Sequence, residues 1–275
     1  MLTSTVIRLR ARGTGTLPRA MGEYGHAAFL SLIGTVAPDL AQALHDGRTR
    51  HPYTVSPLFG GKRTRSGVLV RPSHDYWIRF TIIDPRLYEV FTRYFAETTS
   101  PDLEMTLGGI AFCVEELTSV RGAHPWSGYS TFEGLLATAA AEPVVGLQFW
   151  SLTAFSLGST DHGEPRYAIL PEPALVFDGL LDRWNRFAPR PLAERQEWRR
   201  WVSQYVMVRG FTLRSDVWAF RRHLQVGFVG DCFYEVKGQW PDKTRQLNAL
   251  AAFAFYAGVG MKTTMGMGQC RPWRR

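Results

Sequence analysis

The chain has 275 residues, 45% of them hydrophobic, enough for one large domain or two of roughly 100 to 150 residues. Lys and Arg number 32 against 24 Asp and Glu, a net charge of +8 with a pI near 9.7, which favours a polyanionic partner. Cys113, Cys232 and Cys270 are widely spaced and form no CxxC pair, which argues against a disulfide framework or zinc site and fits a reducing cytoplasm.

Residues 2 to 11 read as a strand. Met21 to His45 reads as one helix, with Phe29, Leu30, Ile33, Leu40 and Leu44 at helical spacing and Gly47 as its stop. Tyr53 to Phe59 and Val68 to Ile83 are strand-like. Asp84 followed by Pro85 caps and opens a helix through Leu87, Val90, Phe91 and Phe95. Ile110 to Val120 supplies a further strand, completing β-α-β-β-α-β, the ferredoxin-like order.

Arg121 to Ser130 and the small residues up to Pro143 read as a linker between a first domain, 1–122, and a second, 143–275. The order then starts again. Val144 to Leu157 is a strand, Pro173 to Phe187 a helix, and a second helix follows through Trp198 and Trp201. Tyr205 to Leu213 and Leu224 to Val236 form a hairpin whose connection carries Arg214, Arg221 and Arg222; Asp242 caps a helix to about Tyr256, and Gln269 to Trp273 is a short last strand. The expected class is α+β, two tandem ferredoxin-like (RRM-like) domains. Trp77, Trp150 and Trp184, at strand or helical spacing, are expected in the cores. The longest apolar stretches, around Val144 to Leu157 and Leu247 to Val259, fall short of the ~18 to 20 residues of a membrane span, and the N-terminus lacks the basic-then-apolar order of a signal peptide.

The most specific segment is Gly258-Val259-Gly260-Met261-Lys262-Thr263-Thr264-Met265-Gly266-Met267-Gly268. Glycines let backbone approach a ligand, and exposed N–H groups with one Lys can hold phosphate oxygens. A dinucleotide fingerprint would need a strand before it and a third glycine at position 263, and a Walker loop needs Gly-Lys-Ser/Thr; neither is met. A tight helix-to-strand connection without a ligand accounts for the same glycines.

This arrangement resembles the signature loop of the CRISPR-associated protein six endoribonucleases, within the repeat-associated mysterious protein superfamily. Leu44-His45-Asp46 and Tyr53-Thr54-Val55-Ser56-Pro57-Leu58 resemble that family's end of first helix, active-site loop and second strand. The resemblance implies metal-independent, cofactor-free cleavage of precursor crRNA within its repeats by attack of a ribose 2′-OH, leaving a 2′,3′-cyclic phosphate and a 5′-hydroxyl. Such chemistry needs proton carriers and cations around the phosphorane. His45 and His51 flank Arg48 and Arg50, and these four are the candidate catalytic residues; a histidine ending a helix can also simply cap its dipole. His26 is a third candidate carrier. Some relatives carry a tyrosine within the first helix and a lysine after the histidine, positions this chain does not match, so the general base stays open. Expected RNA contacts are Gly258, Gly260, Lys262, Gly266 and Gly268, with Lys62, Arg63 and Arg65 in one turn and Arg214, Arg221 and Arg222 in the later hairpin. The expected partner is CRISPR repeat RNA, with an effector complex a further candidate partner. A non-catalytic guide-RNA-binding subunit shares the fold, charge and loop; a protein-interaction scaffold shares only the charge.

Overall fold

The first strand shows why this chain makes sheet: after Ile7, buried Leu9 and Ala11 alternate with exposed Arg8 and Arg10, the period of a strand with one wetted face. The structure, a computed structural model, describes residues 1–47, 51–64, 67–98, 103–221 and 223–273, without the Arg63 side chain. Four arginines named above, Arg48, Arg50, Arg65 and Arg222, lie outside the described residues. The chain divides into two units. One is Met1–Tyr129 with Ala219–His223 and Thr264–Gly266; the other is Ser130–Trp218 with Leu224–Thr263 and Met267–Arg275.

The first unit contains β1 (Leu2–Ala11), β2 (Gly15–Leu17), α1 (Gly22–Val36), α2 (Pro38–Asp46), β3 (Tyr53–Val55), β4 (Lys62–Arg63), β5 (Val68–Val70), β6 (Asp75–Ile82), α3 (Pro85–Glu97), β7 (Glu104–Leu107), β8 (Ile110–Thr118) and β9 (Gly128–Ser130). Its main sheet runs β3-β6-β1-β8-β7, with β9 also pairing β1. The four ferredoxin-like strands β1, β3, β6 and β8 thus lie in the order second, third, first, fourth. Register puts Ile7 beside Ile78 and Thr54 beside Thr81. The helices cover one face through Phe29, whose ring lies 4.3 Å from Tyr53 and 5.2 Å from Phe80. Truncating so buried a ring costs about 3 to 5 kcal/mol.

Three expectations change here. The single helix expected over 21–45 is two, because Pro38 has no N–H to continue the ladder and Ala37 leaves helical geometry at φ −144°. Val68 to Ile83 is two strands in different sheets: Arg71-Pro72-Ser73-His74 turns the chain between them, and β5 joins β2 and β4 in a small sheet. The linker stretch is folded, with β9 and α4 (Phe132–Thr138), the latter capped by Thr131 accepting from the Gly134 N–H.

The second unit continues with β10 (Val144–Thr153), β11 (Phe155–Ser159), β12 (Pro165–Ala168), α5 (Pro173–Phe187), α6 (Arg195–Tyr205), β13 (Val206–Ala219), β14 (Leu224–Val236), α7 (Pro241–Ala257) and β15 (Cys270–Pro272). Its sheet runs β13-β14-β10-β15, the same permutation as in the first unit. Phe177, Leu180, Leu181 and Trp184 of α5 and Leu247, Leu250 and Phe253 of α7 are buried over it. The β11–β12 hairpin is an addition the apolar run through Leu157 concealed. Asp242 is not the cap of α7: Trp240 precedes Pro241, and Asp242 sits in the first turn, where its charge faces the positive end of the dipole. Trp184 is buried as expected, Trp77 is half-buried against Phe59 at 4.2 Å, but Trp150 is 41% exposed. Among the described residues no helix is long and apolar enough to cross a membrane.

Candidate active site and glycine-rich loop

Gly25 is where the site begins, because a methyl group there would meet Val55 Cγ1 at 2.9 Å and Ile78 Cδ1 at 3.1 Å. Without it α1 lies flush on β3 and β6, and the next residue, His26, comes against the side chain of Tyr53. The Tyr53 hydroxyl is 3.2 Å from His26 Nδ1, with the two rings nearly parallel and 6.0 Å apart. His51 precedes Tyr53 by two residues, its ring 5.5 Å from Tyr53 and 6.5 Å from His26. A methyl at Gly47 would stand 3.5 Å from His51 Cε1. His45 is exposed on the last turn of α2.

Burial dominates the charge of the two inner groups. Burial holds the His26 imidazole down to about 4, and repulsion from His51 and His45 adds to the effect. Burial also pushes the Tyr53 phenol well up from its ordinary value. At neutral pH His26 is therefore a neutral imidazole beside a neutral phenol, and with Nδ1 engaged by Tyr53 its Nε2 is the nitrogen that would exchange a proton with a ligand.

The structure thus brings His51 together with His26 and Tyr53 and puts His45 within electrostatic reach. Tyr53 was missed as a site residue, since it reads as one more apolar strand position. The signals that could have found the pair are the i, i+2 spacing of His51 and Tyr53 at the entry to β3 and the Gly22, Gly25 pair that marks the closely packed side of α1.

The glycine-rich segment is held closely by its own backbone. Val259, Met261, Met267 and Gly268 donate their N–H groups to Gly268, Ala154, Lys262 and Leu152 carbonyls, at 2.9 to 3.3 Å, so these N–H groups are engaged within the protein. Lys262 takes φ +53°, the left-handed conformation a lysine rarely adopts, and a 3-10 turn follows at Thr263–Met265. The guanidinium of buried Arg183 donates to Thr263 Oγ1 at 2.9 Å. Gly260 is exposed and Lys262 partly so, whereas Gly258, Gly266 and Gly268 are buried. The tip, Thr264–Gly266, belongs with the first unit: the Gly266 N–H donates to the Val55 carbonyl at 3.1 Å, and any side chain at Gly22 would run into the Met265 carbonyl. The tip therefore sits at the start of α1, one turn before His26.

Of the basic residues, Lys62 is exposed on β4 and Arg221 is exposed between β13 and β14. Arg214 lies within β13 and not in the connection, where its guanidinium is 3.9 Å from Asp216; the strand runs on through Trp218, whose burial extends the ladder beyond the expected end at Leu213.

A family model for the CRISPR Cas6 N-terminal domain matches residues 1–137, and one for the CRISPR-associated endoribonuclease Cas6 matches residues 147–270. The chain belongs to the Cas6 family. A Cas6 product complex is similar over 99% of this chain and 100% of that chain, at 29% identity and a TM-score of 0.84. A Thermus thermophilus Cas6 is similar over 99% of this chain and 98% of that one, at 27% identity and a TM-score of 0.75. The CRISPR-associated endoribonuclease Cas6 of Streptococcus thermophilus is 26% identical over 102 residues, 37% of this chain and 42% of that protein, so the match spans less than half of the curated relative. As in other Cas6 proteins, the tandem ferredoxin-like arrangement is the frame of this chain.

Proposed function

We propose that this chain is a precursor-crRNA-processing endoribonuclease that binds CRISPR repeat RNA and cleaves it without a metal. The observation that carries the reading is the cluster of His26, His51 and Tyr53 with His45 nearby, one helical turn from the seated tip of the glycine-rich loop. The product complex of a Cas6 relative supports it.

In this reading a neutral imidazole takes the proton of the ribose 2′-OH, and the 2′ oxygen attacks the adjacent phosphorus. The P–O5′ bond breaks, the electron pair leaves with O5′, and a second imidazole returns a proton there, giving a 2′,3′-cyclic phosphate and a 5′-hydroxyl. His26 suits the first role because it is neutral at working pH and its ring is fixed by Tyr53. An imidazole near 4 is a weak base, but an arriving phosphate favours its charged form and screens it from His45 and His51, so the substrate itself strengthens the base. His51 and His45 stand for the second role. Within the second unit exposed Gly260 and partly exposed Lys262 are the phosphate-contacting groups of the loop, with Gly258 and Gly268 shaping it, and Lys62 and Arg221 are exposed basic groups of the first unit that would each meet a phosphate.

The test is incubation of labelled repeat RNA with the protein in excess EDTA. Site-specific cleavage yielding a cyclic phosphate, blocked by a 2′-deoxy substitution at the scissile nucleotide, is the expected result. Tight binding of the repeat with no cleavage would mark a non-catalytic guide-RNA subunit instead.

A further inference from the structure

The sheet of the second unit has a face that its helices do not cover. Along β10, Val145, Leu147 and Phe149 are buried toward α5 and α7, so Gly146, Gln148 and Trp150 point the other way. Two cross-strand rows lie on this face. In the first, Gln148 is flanked by Asp231 of β14 and Arg271 of β15. In the second, Gly146 stands between Phe233 and Trp273, whose rings meet edge to face at 5.1 Å. A methyl at Gly146 would touch both of these residues at 2.8 Å, so the glycine is what lets the aromatic pair close over the strand.

Trp150 continues the line and is built into it. Its Nε1 donates to Gln148 Oε1 at 2.7 Å, the Arg271 Nε donates to the same oxygen at 2.9 Å, and the guanidinium lies 5.4 Å from the Trp150 ring centroid. An indole is thereby held in a fixed orientation although 41% of its surface is exposed, and Trp273 nearby is 37% exposed. Leaving two tryptophans at the surface forgoes the burial that such side chains otherwise contribute. A planar, partly cationic platform of this kind on an open antiparallel sheet is suited to stacking a base.

We propose that the Gln148, Trp150 and Arg271 cluster binds one unpaired nucleobase of the RNA, stacked on the indole. The assignment rests on the RNA-binding reading above and extends it from paired repeat to single-stranded flank. The charges on the face choose base over phosphate: Asp231 opposes Gln148 and would repel a phosphate, whereas a carboxylate, an amide and a guanidinium in one row match the mixed donors and acceptors of a base edge. Ring stacking is sequence-tolerant, so the site favours unpaired RNA over duplex more than one base over another.

The experiment measures fluorescence anisotropy of labelled, unstructured oligoribonucleotides of about eight nucleotides, within the span such platforms cover, beside a fully paired repeat hairpin. Trp150→Leu should weaken oligonucleotide binding about tenfold and leave hairpin affinity and the melting temperature unchanged. Trp150→Phe should restore most of the loss, and Arg271→Gln should reproduce it. An oligonucleotide carrying 5-bromouridine should cross-link to the peptide containing Trp150. Wild-type protein that binds the hairpin but no oligonucleotide overturns this proposal alone; protein that binds neither overturns the functional reading with it. Oligonucleotide binding unaffected by both Trp150→Leu and Arg271→Gln, an equal loss on hairpin and oligonucleotide, or a loss of protein self-association in place of RNA binding, would each overturn it as well.

Discussion

The Tyr53 hydroxyl and His26 Nδ1, 3.2 Å apart, join the strand and the helix that carry the candidate proton-transfer groups. His26→Ala is expected to slow single-turnover cleavage by about 10² to 10⁴, the range for loss of a general acid or base. Tyr53→Phe keeps the ring packed on Phe29 and removes only the hydroxyl, so its expected loss is about tenfold, a net hydrogen bond's worth, with RNA affinity unchanged. Equal rates in wild type and His26→Ala would remove His26 from the chemistry.

His45→Ala and His51→Ala test the second proton carrier. Each should keep the fold, and the one that donates to O5′ should lose activity by a comparable factor. A double mutant with His26→Ala little worse than either single mutant would show that the two act as a unit. Rapid-quench kinetics at saturating protein separates these outcomes.

The pH dependence follows from the depressed imidazole of His26. Its folded value, about 4, lies below the ordinary 6.5, so the unfolded chain binds this proton first and stability, full above pH 6.5, falls as pH drops toward 4. Chemical denaturation at several pH values should show this slope, and His26→Leu should flatten it. The acid limb of kcat/KM should lie below 6.5, with that of kcat displaced upward by bound phosphate. A wild-type stability curve with no slope between pH 6.5 and 4 would contradict the assignment.

Replacing Gly266 by Val does not discriminate between RNA contact and packing, since Gly266 has φ +87° and lies 3.1 Å from Val55 through its own N–H; a melting-temperature loss is expected whether or not RNA touches it. Lys262→Ala is the cleaner probe. It should weaken RNA binding uniformly across sequences and lower the slope of log K against log salt by about one. Titration at several salt concentrations reads both.

Punctuation residues made much of the fold legible. Asp84-Pro85 marked the start of α3, with Asp84 accepting from the Arg86 N–H at 2.9 Å, and Pro173 marked α5. The same residue type was passed over at Pro38 and Pro72, where strong apolar periodicity on both sides hid a break in helix and strand. Trp150 is strand-spaced yet exposed, because period alone does not say which face of a sheet is covered. At the site, His51 was legible from its loop and Lys262 from the glycine spacing. Tyr53 was not, since its role depends on a helix arriving from far along the sequence at a distance only packing sets.

The contact between Gly266 and Val55 also fixes when the tip can take its seat. Its two partners lie far apart in the sequence, and contacts of such sequence separation form late, after nearer ones have condensed. A nascent chain emerging in order from the ribosome displays His26, His45 and His51 long before the tip that seats beside them has been synthesised. The tip joins the histidines only once residue 266 has been made, and a chain truncated before residue 264 carries its proton carriers without the tip.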